Sequence, residues 1–242
     1  MSSDNDISNN NISDNDISTN YTNKKKEEKE IIKDLLMNPN NNKSGRLLDN
    51  KYDDIIDYNL INIAEAANPY FYKIGFTPNM LTTLSFIFTI AFAVCFYNKE
   101  FLFSGIFYLI SYFFDCCDGN FARTYNMESE FGDYYDHITD IFECLCFIII
   151  LYYLSGDICV FFIILLFILL FFFISIFHLK NEKSKNNTCK IIEPTLYILN
   201  LLPHIDINIT RFFGTGIFNF INAIIIIFFP YIKNIITNFL VS

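Results

Sequence analysis

Apolar residues run almost unbroken through 80–97, 101–120, 137–154 and 158–177. Each run approaches the ~20 residues that a helix needs to cross a hydrocarbon core. The breaks Asn98-Lys99-Glu100 and Ser155-Gly156-Asp157 are short, so neighbouring runs must return as antiparallel hairpins. The C-terminal third is less regular. Residues 194–203 are apolar but lie between Pro194 and Pro203, and 212–240 are apolar with interruptions at Pro230 and Lys233. The pattern predicts an all-α integral-membrane fold with five spans and a sixth in this last third, about six in all.

The chain upstream differs in kind. Residues 1–50 are rich in Asn, Asp, Ser and Lys. They cannot bury enough surface to offset their ordering entropy, so a disordered polar tail is expected. Within it, Lys24-Lys25-Lys26-Glu27-Glu28-Lys29 reads as a solvated mixed-charge stretch. Residues 51–78 form an interfacial amphipathic segment: Ile55, Ile56, Leu60, Ile61 and Ile63 mix with polar positions, as in a helix lying along a membrane surface. Thr77 is placed to cap a helix whose first residue is Pro78, where the missing N–H costs nothing. Residues 79–242 make up the membrane-embedded domain.

Composition sharpens this picture. With 52% hydrophobic residues, 29 Phe and no Trp, the chain is too apolar for a soluble domain of 242 residues. The net charge of −9 says little globally, because the acids gather in the tail and in one internal segment. No basic face suited to nucleic acid is visible, and that partner class is excluded. The seven Cys lie mostly in apolar runs and fit neither a disulfide framework nor a zinc site. The N-terminus has no apolar signal core, so the first membrane helix is expected to direct insertion. Lys180, Lys183, Lys185 and Lys190 follow the fourth run, and the N-terminal region is also Lys-rich. Positive-inside reasoning puts both on the cytosolic side, which brings the end of the second span to the cytosolic face.

That end carries the candidate chemistry: Asp115, Asp118, Gly119, Ala122 and Arg123, then Gly132, Asp136 and Asp140. An Asp at a helix centre costs roughly 2.5–3.5 kcal/mol in a membrane, so acids here need a cationic answer. Asp115 and Asp118 are three apart, on one face of the second span. Gly132, Asp136 and Asp140 are four apart, a stripe opening the third. Two such stripes facing each other make an all-oxygen cluster, the ligand set that Mg²⁺ or Mn²⁺ prefers. Gly119, Ala122 and Gly132 lack bulk, which admits close backbone or phosphate approach. Arg123 offers a bidentate fork for phosphate. Asp133 falls off the stripe and reads as solvated.

The pattern D-x-x-D-G-x-x-A-R-x8-G-x3-D-x3-D resembles the signature of the CDP-alcohol phosphotransferases at every fixed position. Upstream, Thr77-Pro78-Asn79-x-x-Thr82 resembles the opening of that family's first membrane helix. Together these cover about residues 60–180. The resemblance implies a membrane enzyme of phospholipid biosynthesis, usually six-helical and commonly a homodimer. It implies transfer of a phosphoalcohol group from a CDP-linked donor to a second alcohol, with release of CMP and two divalent ions, Mg²⁺ or Mn²⁺. Asp115, Asp118 and Asp136 resemble the shared metal ligands, and Asp140 the second-metal ligand that also serves as general base. Gly119, Arg123 and Ser129 resemble residues contacting the CDP group; Asn79, Met80, Leu81 and Thr82 match a segment touching the same donor. The bilayer, a cytosolic-face active site and, in a eukaryote, the endoplasmic reticulum follow as expectations.

Two directions of transfer stay open. CDP-diacylglycerol with a polar alcohol, in the manner of phosphatidylinositol or phosphatidylglycerophosphate synthesis, suits the short chain. CDP-choline or CDP-ethanolamine with diacylglycerol suits Asp136-His137, which resembles the Asp-His pair of those transferases, although Ile138-Thr139 depart from them. His137 is thus a catalytic candidate beside a plain headgroup-region reading. His178 and His204 read as interfacial. Arg211, preceding the apolar run from Phe212 to Phe229, fits an interfacial anchor and an acceptor contact equally. A non-enzymatic metal-binding protein or cation pathway is the alternative of another class. Acids confined to two helix ends argue against it.

Overall fold

The computed structural model describes residues 45–46, 53–183 and 210–241, all within the unit Ser44–Ser242. The Lys24–Lys29 stretch, Lys185, Lys190, the 194–203 run and His204 lie outside the described residues, as do the side chains of Lys180 and Lys183. The described elements are helical: α1 (Ile55–Lys73), α2 (Pro78–Tyr97), α3 (Phe101–Tyr125), α4 (Glu130–Ser155), α5 (Ile158–Lys183), a 3₁₀ turn (Arg211–Phe213), α6 (Thr215–Ile227) and α7 (Phe229–Val241). By length and composition α2, α3, α4 and α5 can each cross a membrane. The last two helices form one broken span or a re-entrant pair, bent by 75°. The described residues therefore supply four spans, or five with the bent pair, and the sixth expected from sequence is not among them. Pro230 falls in the first turn of α7, where it ends pairing with the preceding turn and allows the bend.

The ends of the elements follow local chemistry. Pro78 opens α2 as expected, but Thr77 forms no side-chain cap, and its extended backbone alone starts the helix. Ser129 caps α4, its Oγ accepting from the Gly132 amide at 3.1 Å. Asn126 and Gly156 close α3 and α4 in the left-handed conformation. α5 is apolar all round, as a lipid-facing helix must be.

α2 and α3 form a long antiparallel hairpin, and α4 also lies along α2. α3 and α4 approach α2 more closely than they approach each other. The deep core joins α2 to α7: Phe92 and Phe96 meet Tyr108, Phe147, Leu151, Ile226 and Phe229. Phe92 packs edge-on to Tyr108 with centroids 5.3 Å apart. In hydrocarbon such contacts hold helices by dispersion and fit rather than by expulsion of water.

α1 docks on α3 and α6 through polar locks. Asp54 caps α1 and also accepts from the Gly216 amide at 2.9 Å. Asp57 accepts from the Tyr112 hydroxyl at 2.5 Å and from Thr215 at 3.0 Å. Both carboxylates thus face the N-terminus of α6, where the helix dipole favours negative charge. Asn68 donates to Asn120 at 2.7 Å. Arg46 pairs with Asp53 at 2.6 Å and Glu65 at 3.3 Å. Burial pushes the Asp53 carboxyl up, and Arg46 offsets part of that rise. His178, expected at an interface, is instead buried, its Nδ1 3.3 Å from the Thr210 hydroxyl. Its position inside the α5 face covered by the segment before α6 explains the difference.

Candidate active site

A cleft of about 370 Å³ opens between the start of α2, the end of α3 and the start of α4. Asn79, Thr82, Asp118, Arg123, Ser129 and Asp136 are among its lining residues. The divergence of α3 from α4 makes this gap, and α2 forms its back wall. Helical pitch decides which of the predicted residues face it. Asp118 and Ala122 recur at four residues on α3, and Gly132 and Asp136 recur likewise on α4.

Two carboxylate-rich groups share Asp136. In Asp115, Asp118 and Asp136, one ligand atom from each lies within 4.8 Å of the others. The same holds for Asp136, His137 and Asp140. Three ionised carboxylates at such spacing repel by roughly 3 kcal/mol per pair at the effective dielectric of protein sites. One oxygen of Asp136, Oδ1, is buried without a hydrogen-bond partner. The Asp115, Asp118 and Asp136 set, all oxygen, mutually repelling and with an oxygen left over, fits a hard divalent cation. The donor set is right for the expected metal.

The surroundings order these acids. Thr82 donates a short hydrogen bond to Asp118 and lies 3.3 Å from the Pro78 carbonyl. Thr139 donates to the Asp136 carbonyl at 2.7 Å. Arg123 projects along the cleft and donates through Nε to the Gly45 carbonyl at 2.6 Å. A Cβ on Gly119 would stand 3.0 Å from an Arg123 guanidinium nitrogen, so glycine leaves that fork its room. A Cβ on Gly132 would stand 3.1 Å from the Asn79 Oδ1 and 3.0 Å from the Ser129 Oγ. Those two glycines keep both walls of the cleft close. Asp140 is exposed at the edge of the cluster. His137 is half-exposed, with Nδ1 3.9 Å from an Asp136 oxygen, beyond hydrogen-bond reach.

Asp115 and Asp140 meet Asp136 in the two acidic groups but are not among the residues that line the cleft. Of the stretch Asn79–Thr82, only Asn79 and Thr82 line the cleft. Leu81 is fully buried in a second core with Ala64, Cys117 and Phe121, and Met80 faces outward, because successive helical residues point about 100° apart. Asp133, off the acidic stripe, also lines the cleft together with Glu128 and Glu130. Sequence reading also missed the Thr82–Asp118 bond and the approach of Gly45 to Arg123. Thr82 was readable as a polar residue opening an apolar helix; no local signal marks Gly45.

Residues 76–239 match the family described as CDP-alcohol phosphatidyltransferase, more than half of the chain. The chain belongs to this family. Among curated relatives, the CDP-diacylglycerol–inositol 3-phosphatidyltransferase 1 of Arabidopsis thaliana is 45% identical over 62 residues, 26% of this chain and 26% of that protein. The Archaetidylinositol phosphate synthase of Pyrococcus horikoshii is 34% identical over 68 residues, 28% of this chain and 36% of that protein. These alignments thus span about a quarter to a third of each relative's length. The CDP-alcohol phosphatidyltransferase match begins at Phe76, so α2 through α6 and most of α7 lie inside it while α1 and Gly45 precede it.

Proposed function

We propose that this membrane protein transfers a phosphatidyl group from CDP-diacylglycerol to a polar alcohol of the inositol type, releasing CMP. The observation that carries this reading is the gathering of Asp115, Asp118 and Asp136 within 4.8 Å, with Asp118 and Asp136 lining the same cleft as Arg123. The names of the two relatives, both concerned with inositol lipids, support the choice of acceptor, and that of the plant relative supports the donor.

Asp115, Asp118, Asp136 and Asp140 would hold two divalent ions, Mg²⁺ or Mn²⁺. What the metal supplies when bound is charge neutralisation at the donor pyrophosphate and stabilisation of departing CMP. Arg123 grips a phosphate through its guanidinium fork, and Gly119 lets that phosphate come close. Asn79, Thr82 and Ser129 line the donor side. The acceptor hydroxyl oxygen attacks the phosphorus that bears the lipid alcohol, and the bond from that phosphorus to the CMP oxygen breaks. Asp140, exposed at the cluster edge, takes the hydroxyl proton. No covalent enzyme intermediate is required. The active site faces the cytosol, as the distribution of Lys residues about the spans indicates, and endoplasmic reticulum residence and a homodimer complete the reading.

His137, grouped at ligand distance with Asp136 and Asp140, favours a second reading with CDP-choline or CDP-ethanolamine and diacylglycerol. A donor-by-acceptor matrix on the purified full chain in lipid nanodiscs, with Mg²⁺ or Mn²⁺, separates the two. We expect CMP release and a radiolabelled lipid with CDP-diacylglycerol plus inositol. Turnover confined to the CDP-choline or CDP-ethanolamine arm would favour the second reading. No CMP from any donor would defeat both.

A further inference from the structure

Below the acidic cluster the facing sides of α2, α3 and α4 stay polar. On α2, Thr82, Ser85 and Thr89 continue one buried face. On α3, Ser111 is one turn from Asp115. On α4, Glu143 is one turn, about 4.5 Å along the axis, from Asp140. These three stripes meet at a single carboxylate oxygen. Glu143 Oε2 accepts from the Thr89 hydroxyl at 2.5 Å and from the Ser111 hydroxyl at 2.8 Å. Thr89 and Ser111 are themselves 2.8 Å apart, and Ser111 lies 3.1 Å from the Ser85 hydroxyl and 3.0 Å from the Ser85 carbonyl. Beneath this knot the aromatic core of Phe92, Tyr108 and Phe147 begins.

A carboxylate within an apolar membrane helix needs a reason. None of the family signature asks for one at 143, and Glu143 is not in either metal-distance group. Its bonds instead cross the gap that separates α3 from α4, the two helices that carry the four acids. Those helices lean on α2 rather than on each other. The knot is thus placed to fix how far apart their acidic ends stand.

We propose that Glu143 is a positioning residue: by tying α4 to Thr89 of α2 and Ser111 of α3, it sets the spacing at which Asp115 and Asp118 share a divalent ion with Asp136. The inference rests on the metal reading above. Partners that orient metal ligands from one layer out typically change affinity by about 10–100-fold when removed.

The test is Mn²⁺ binding to the purified full chain, read from the electron paramagnetic resonance signal of free Mn²⁺, with thermal unfolding measured beside it. Glu143→Leu is expected to weaken Mn²⁺ binding about 10–100-fold. Glu143→Gln keeps a carbonyl oxygen for both hydroxyls and is expected to restore most of that affinity. A merely structural role would lower the unfolding temperature and leave the affinity of the folded fraction unchanged. Should Glu143→Leu not fold, Ser111→Ala cuts the same tie from α3 and is expected to shift affinity in the same direction. Wild-type affinity in the folded Glu143→Leu or Ser111→Ala protein would overturn the proposal, as would a Gln variant as weak as the Leu variant. Absence of Mn²⁺ binding by the wild type would instead overturn the metal reading, and this inference with it.

Discussion

The two ends of the α2–α3–α4 bundle solve opposite problems with the same helices. At the deep end, Phe92, Phe96, Tyr108, Phe147 and Leu151 pack together in one buried cluster. At the other, α3 and α4 part, and carboxylates that repel one another line the opening. Stability is concentrated where nothing reacts. That separation lets the cleft hold like charges together, because the cost of doing so is met by packing two or three turns away and, on the proposed reading, by a divalent cation. Natural active sites commonly carry such local conflict, sustained by the rest of the fold.

A paired substitution breaks the comparison most sharply. Asp140→Asn in the acidic cluster is expected to lower CMP release by about 10²–10⁴-fold, the usual contribution of a positioned base, with little change in unfolding temperature. Leu151→Ala in the aromatic end should do the reverse. We expect it to cost about 2 kcal/mol of stability, at the low end for such truncations because a lipid surround removes most of the transfer term. Its turnover per folded molecule should stay near wild type. Detergent unfolding curves and CMP assays on both variants check the pair; a Leu151→Ala enzyme that folds normally but fails to turn over would deny that the two ends are separable.

A smaller effect sharpens the cleft's own division of labour. Arg123→Lys keeps the charge but loses the fork, and is expected to raise the donor KM by about tenfold, the worth of one charge-assisted hydrogen bond. The acceptor KM should hardly move. Steady-state kinetics with each substrate varied in turn decides it, and an equal rise in both constants would remove Arg123 from the donor side.

Much of this was legible in the chain. The apolar runs located four helices, because a span must reach ~20 residues, but α3, α4 and α5 each run five to seven residues further, into polar sequence the runs do not cover. The acids were legible because unanswered charge in such a run is costly, and because their three- and four-residue spacings project to one face of a helix. What the sequence could not convey was register between helices. Met80 and Leu81 share a matching segment with Asn79 and Thr82, yet pitch turns them away from the cleft. Glu143 stood in plain view as an acid inside an apolar helix. Its meaning depends on Ser111 and Thr89, brought together only when α2, α3 and α4 pack. Gly45 is further still from local inference: its contact with Arg123 joins positions 78 residues apart, through a backbone carbonyl that any residue would offer.

Carboxylates from α3 and α4 are proposed to hold a divalent ion jointly. Equilibrium Mn²⁺ binding to the folded full chain, compared with Asp118→Asn on α3 and Asp136→Asn on α4, tests it most directly. The account predicts that the wild type binds and that each single substitution, from either helix, removes most of that affinity while the protein stays folded. Mn²⁺ binding unchanged by both substitutions would contradict it.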